Sequence, residues 1–131
     1  GMGLEEAVNA ALGLLPRWEG HEETSRALAL ALELAKSPLA PKEAVTQLGE
    51  GWVGEEALAM AVYCALAEKD VQKALLLSVN HAGDSDSTGA ICGNLLGALY
   101  GEEAFPAEWR KNVELGGYIL AMAERLYRSL Q

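Results

Sequence analysis

Three features of the chain predict an all-α fold, a compact bundle of about six to seven helices. Apolar residues recur at three- and four-residue spacing, and no stretch alternates with the period of two that a half-buried strand needs. Half of the 131 residues are apolar but only 6% are aromatic. A core must therefore be built from Leu, Ala and Val, and Leu and Ala are strong helix formers. Proline and glycine punctuate this pattern where helices would stop and start.

Taken in order, Gly1-Met2-Gly3 reads as an expression scar, and residues 4–131 as one helical domain. Leu4 to Leu15 forms a first helix with Ala7, Val8, Ala11, Leu12 and Leu15 on one face, stopped by Pro16. Glu22 to Lys36 repeats Leu28, Ala31, Leu32 and Ala35 at helical spacing and ends before Ser37-Pro38. Pro41 suits the first turn of a third helix through Leu48. Gly49, Gly51 and Gly54 open a loop around Trp52. The helix that follows, Glu55 to Ala67, is apolar on nearly all sides, which marks it as central and buried. Glu55 and Glu56 lie in its first turn, where acidic side chains favour the positive end of the helix dipole. Asp70 caps the next helix, which runs to about Asn80. After a glycine-striped helix ending near Tyr100, Pro106 begins a short turn carrying Trp109. A last helix to Ser129 is patterned by Leu115, Ile119, Met122, Ala123 and Leu126. Tyr63 and Tyr100 read as core residues with a satisfied hydroxyl.

The dense polar cluster of the chain lies between the Asp70-capped helix and the striped one, in His-Ala-Gly-Asp-Ser-Asp-Ser-Thr, residues 81–88. Two carboxylates turned toward one point about 5 Å across repel by roughly 3 kcal/mol at an effective dielectric of 20. Either they splay apart or something positive sits between them. Asp84 and Asp86 with the neighbouring hydroxyls offer the oxygen ligands that Mg²⁺, Mn²⁺ or Ca²⁺ take. The same residues also suit plain helix capping, and spacing alone leaves both readings open. Gly83 is expected to let the loop turn. Beyond the cluster, Gly89, Gly93, Gly97 and Gly101 fall at every fourth position, so another backbone is expected to lie close along that side. His81 is better read as a structural or supporting residue than as a metal ligand.

The run Val79 to Gly101, with its Gly-Asp-Ser-Asp-Ser core and Gly-rich continuation, resembles the C-terminal metal motif of the ADP-ribosylglycohydrolase family. Gly49 to Leu58 and Phe105 to Trp109 fit the same pattern, and the resemblance is strongest over residues 48–109. It implies an ADP-ribosylglycohydrolase-like all-α fold, of which this chain is the C-terminal part. It also implies a two-metal Mg²⁺ or Mn²⁺ site with Asp84, Asp86 and Ser87 among its ligands, and hydrolysis of the bond between ADP-ribose and an acceptor. Trp52, Gly83 and Ser85 are candidate contacts to an ADP-ribose-type ligand; Trp52 in its glycine loop suits stacking on adenine or ribose and a simple loop anchor equally. Family members are roughly twice this length, and their other metal ligands lie in an N-terminal (Ser/Thr)-Asp-Asp motif beside an acidic catalytic residue. Residues 1–47 hold no such motif. Glu22-Glu23-Thr24-Ser25 lacks the paired aspartates and suits a helix first turn instead. The chain is therefore expected to be incomplete and inactive alone. The alternative is a helical interaction or ligand-binding module whose Asp-Ser loop is only a cap.

A net charge of −9 argues against nucleic acid and anionic membrane as partners. It also means that an anionic dinucleotide would need cations or main-chain amides to offset its charge. Cys64 and Cys92, 28 residues apart in apolar settings, read as buried free thiols of a reducing, cytoplasmic compartment. A chain that is only part of a larger body leaves apolar surface uncovered. The expected partner is a second copy, in a homodimer through the helices Leu4–Leu15 and Glu22–Lys36, or else a missing N-terminal half.

Overall fold

The computed structural model describes residues 1–131 and contains eight α-helices, two short 3₁₀ turns and no strand, so the all-α expectation holds. The chain divides into two compact units, Gly1–Gly101 and Glu102–Gln131.

In the first unit, α1 spans Leu4–Leu14, α2 Glu22–Ala35, α3 Pro41–Gln47, α4 Gly54–Ala67, α5 Val71–Val79 and α6 Ser85–Tyr100. Helix α4 is the centre, packed against α2, α3, α5 and α6. Its run from Ala59 to Ala65 is buried without interruption, as its all-round apolar sequence requires. Met60 and Cys64 from α4 and Thr88, Cys92 and Leu96 from α6 are all fully buried. Both cysteines are free thiols. Burial pushes Cys92 up to about 11 and Cys64 further still, because a thiolate there would lose its hydration. Tyr63 is buried too, and burial raises its phenol.

Helix α1 ends at Leu14, just ahead of Pro16. The chain tightens into a 3₁₀ turn, Leu15–Arg17, with the proline in its first positions, where a missing N–H costs nothing. Only Val8 of α1 is buried, whereas Leu28, Ala31, Leu32 and Leu34 of α2 are all enclosed. Of the two helices expected at a homodimer interface, α1 is exposed over most of its length, and α2 keeps an exposed side at Glu22, Glu23, Arg26, Ala29 and Glu33.

At Gly89 and Gly93 the close neighbours are side chains rather than a backbone. A Cβ on Gly89 would lie 2.6 Å from Val79 Cγ1, and one on Gly93 3.7 Å from Leu75 Cδ2, both on α5. Gly101 leaves the stripe altogether and ends α6 at φ +78°, a conformation that favours glycine. Tyr100 is 54% exposed, in the last turn of α6, and not in the core.

The second unit holds a 3₁₀ turn at Glu102–Ala104, α7 (Ala107–Asn112) and α8 (Gly116–Ser129), the two helices in mutual contact. None of its residues is buried, the patterned Leu115, Ile119, Met122 and Leu126 included. Leu115 precedes α8 in the left-handed region, at φ 57°, an unusual position for a branched side chain.

Candidate metal centre

The candidate site is built where two loops meet at the N-terminal ends of α4 and α6. In the first loop, Gly49 and Gly51 have φ of +119° and +79°, and this turns the amides of Glu50 and Gly51 toward one point. Both donate to Oε2 of Glu56, each at 3.1 Å. Its carboxylate, expected to serve the helix dipole, also ties down the loop before its own helix. The Trp52 Nε1–H donates to Glu50 Oε2 at 3.1 Å and the indole is 66% exposed.

The second loop rests on the first. The Asp84 amide donates to the Glu50 carbonyl at 2.8 Å. Gly83 presses so closely on that carbonyl that a Cβ there would collide with it. The glycine is thus needed for close approach; its φ is not among the positive ones, so turning is not the reason.

Beneath the loop, Thr88 is fully buried, and its hydroxyl lies 2.6 Å from the Ser78 carbonyl and 3.1 Å from that of Asp84. His81 joins the same cluster. Its Nδ1 accepts from the Gly83 amide at 3.1 Å, so the neutral ring carries its proton on Nε2, 2.8 Å from Thr88 Oγ1. His81 therefore braces the loop and its ring nitrogens are taken. The network leaves no buried side-chain polar atom unpaired anywhere in the protein.

Above this base, Asp84 is the N-cap of α6 and accepts from the Ser87 amide at 3.4 Å, a long bond for a cap. Asp86 lies in the first turn. A hydrogen bond with Asp86 holds the Asp84 carboxyl below the usual carboxylate range, helped by contacts with Ser87. Two carboxyl groups thus stand at one helix start, Asp84 at the cap and Asp86 two residues on. Asp86 is exposed, while Asp84, Ser85 and Ser87 are partly covered. The donors are all hard oxygens, the class that Mg²⁺ and Mn²⁺ take, but few in number. No group of three His, Cys, Asp or Glu side chains converges to hold a metal. The fit is that of one side of an oxygen site. Glu22 to Ser25 lies in the first turn of α2, with Ser25 Oγ 2.9 Å from His21 Nδ1. No helix is long and apolar enough to cross a membrane.

Sequence reasoning missed the role of Glu56 in the loop. The signal was there, in two glycines spaced around Glu50 just ahead of a helix whose first turn carries an acid.

Comparison with known proteins places the whole chain. The family model for ADP-ribosylglycohydrolase matches residues 1–131. The ADP-ribosylhydrolase ARH3 of Bos taurus is 29% identical, over 98% of this chain and 39% of its own length. The human ADP-ribosylhydrolase ARH3 is 28% identical over 75% of this chain and 30% of its own. The ADP-ribosylarginine hydrolase Tri1 of Pseudomonas putida is 35% identical over 55% of this chain and 19% of its own. The chain thus spans well under half the length of these relatives, and no solved structure matches it significantly. With the family model matching from end to end, and with Gly-Asp-Ser-Asp-Ser at the start of α6, the chain belongs to the ADP-ribosylglycohydrolase family.

Proposed function

We propose that this chain supplies one face of an ADP-ribosyl hydrolase site, in which Asp84, Asp86 and Ser87 hold a hard divalent cation, Mg²⁺ or Mn²⁺. The observation that carries this reading is the doubled acid at one helix start, Asp84 at the N-cap and Asp86 in the first turn, where a cap needs only one carboxylate. When bound, such a cation supplies a fixed positive charge and Lewis acidity toward ribose hydroxyls and water. The protein's own groups bind and orient. The two carboxylates and the Ser87 hydroxyl face the cation. The open indole of Trp52, on the loop against which Asp84 is hydrogen-bonded, offers a stacking surface for an adenine or ribose of an ADP-ribose-type ligand. The family relation supports hydrolysis at the anomeric carbon of an ADP-ribosyl group as the reaction of the whole site.

Two carboxylates and a hydroxyl provide three or four oxygens, against about six for Mg²⁺. No third acidic side chain converges with them to complete a metal-holding group. The chain alone is therefore inactive and binds at most one cation weakly. Release of ADP-ribose from an ADP-ribosylated substrate by the purified chain, dependent on metal and lost in Asp86→Ala, would restore a complete enzyme. The alternative is a helical module in which Asp84 is only a cap; it has in its favour the cap hydrogen bond itself. Calorimetric titration with Mn²⁺ separates the two, since a bare cap gives no binding heat.

A further inference from the structure

We infer that Glu56 is a positioning residue for the Asp84 loop, acting through the main chain of Glu50; the inference rests on reading that loop as a cation site. The path is continuous. One oxygen of Glu56 accepts the amides of Glu50 and Gly51 at 3.1 Å each. The carbonyl of the Glu50 so held accepts the Asp84 amide at 2.8 Å, with Gly83 seated on it. Gly49 leaves room for the carboxyl, because a Cβ there would run into it. Glu56 sits in the first turn of α4, whose body is buried, so the position of α4 is passed to the first turn of α6 through main-chain hydrogen bonds.

Charge and reach can be told apart at this position. Glu56→Gln keeps the length and an oxygen able to accept both amides but loses the charge. Glu56→Asp keeps the first-turn charge but is one methylene short of the loop. Positioning predicts that Glu56→Asp weakens Mn²⁺ binding by about tenfold or more, as loss of a supporting partner does in metal sites, while Glu56→Gln stays close to the unaltered chain. A role confined to the helix dipole predicts the reverse order.

A readout without metal accompanies this. Amide hydrogen exchange at Asp84, followed by NMR, is expected to speed up in Glu56→Asp by about tenfold and to stay slow in Glu56→Gln, as local opening frees its hydrogen bond to Glu50. Unchanged Asp84 exchange in Glu56→Asp overturns the inference. So does faster exchange with unchanged Mn²⁺ affinity. If exchange speeds up but the unaltered chain takes no Mn²⁺, the cation reading fails, and the hold of Glu56 on the loop stands by itself.

Discussion

Helices α5 and α6 both begin on an aspartate, and the two beginnings are built differently. Asp70 accepts the Lys73 amide at 2.9 Å, follows the exposed Lys69 and has no acid beside it in the first turn. Asp84 makes a longer bond, 3.4 Å, to the Ser87 amide, has a second acid, Asp86, in the first turn after it, and is locked from behind by the Glu50 carbonyl. A cap is complete with one carboxylate at normal distance, as at α5. At α6 the cap is looser, the acid is doubled and the backbone is held more firmly. That combination suits a site whose carboxylates have work besides capping.

The residue before each aspartate should show the largest contrast. Gly83→Ala puts a Cβ onto the Glu50 carbonyl, and the backbone must shift. It should cost about 3 kcal/mol in urea unfolding, at the upper end of overpacking effects. Lys69→Ala, at the matching position before Asp70, should stay within about 0.5 kcal/mol. Equal effects would mean that the two starts are braced alike.

Next in size is Thr88→Val, which keeps the shape but removes a hydroxyl shared by the Ser78 carbonyl and His81. The Ser78 carbonyl and His81 Nε2 still face each other at 3.1 Å, so the loss should be that of the hydroxyl's own hydrogen bonds, about 1.5 kcal/mol by thermal or denaturant unfolding. Asp70→Ala should cost about 1 kcal/mol through loss of its cap. Asp84→Ala should cost less than that, because the bond it loses is longer. A larger loss at Asp84 than at Asp70 would favour the plain-cap reading.

Most of the scaffold behind these two starts was legible in the sequence. The starts of α2, α3 and α5 and the burial of α4 follow from proline, aspartate and the aliphatic pattern, which act within a few residues of themselves. What was not legible depends on contacts between segments far apart in the chain. Gly83 is needed because Glu50, 33 positions earlier in the numbering, lies against it, and nothing local announces that. The stripe of α6 signalled a near neighbour but not that it would be the side chains of Val79 and Leu75. At the site, the residue types in Gly-Asp-Ser-Asp-Ser limit the chemistry to hard oxygen donors. The way Asp84 is held from Glu56 through Glu50 runs through main-chain groups, and main-chain groups have no sequence signature.

An effect confined to alkaline pH lies in the seam between the two helices, where the Cys92 thiol reaches toward the Ala74 carbonyl of α5 at 3.9 Å. Its pKa is raised on folding to about 11, so the folded state favours the neutral thiol. Stability is then level below the ordinary thiol range, near about 8.5, and falls as pH rises from there toward 11. Cys92→Ala should flatten part of that fall, with Cys64 accounting for the remainder. Urea midpoints collected between neutral and alkaline pH check this.

The central claim, that the start of α6 takes a cation and the start of α5 does not, is tested most directly by calorimetric titration of Mn²⁺ into four proteins: the unaltered chain, Asp84→Ala, Asp86→Ala and Asp70→Ala. The account predicts weak binding of at most one ion by the unaltered chain and by Asp70→Ala, and none by Asp84→Ala or Asp86→Ala. Equal heats from all four proteins would contradict it and leave Asp84 as a helix cap.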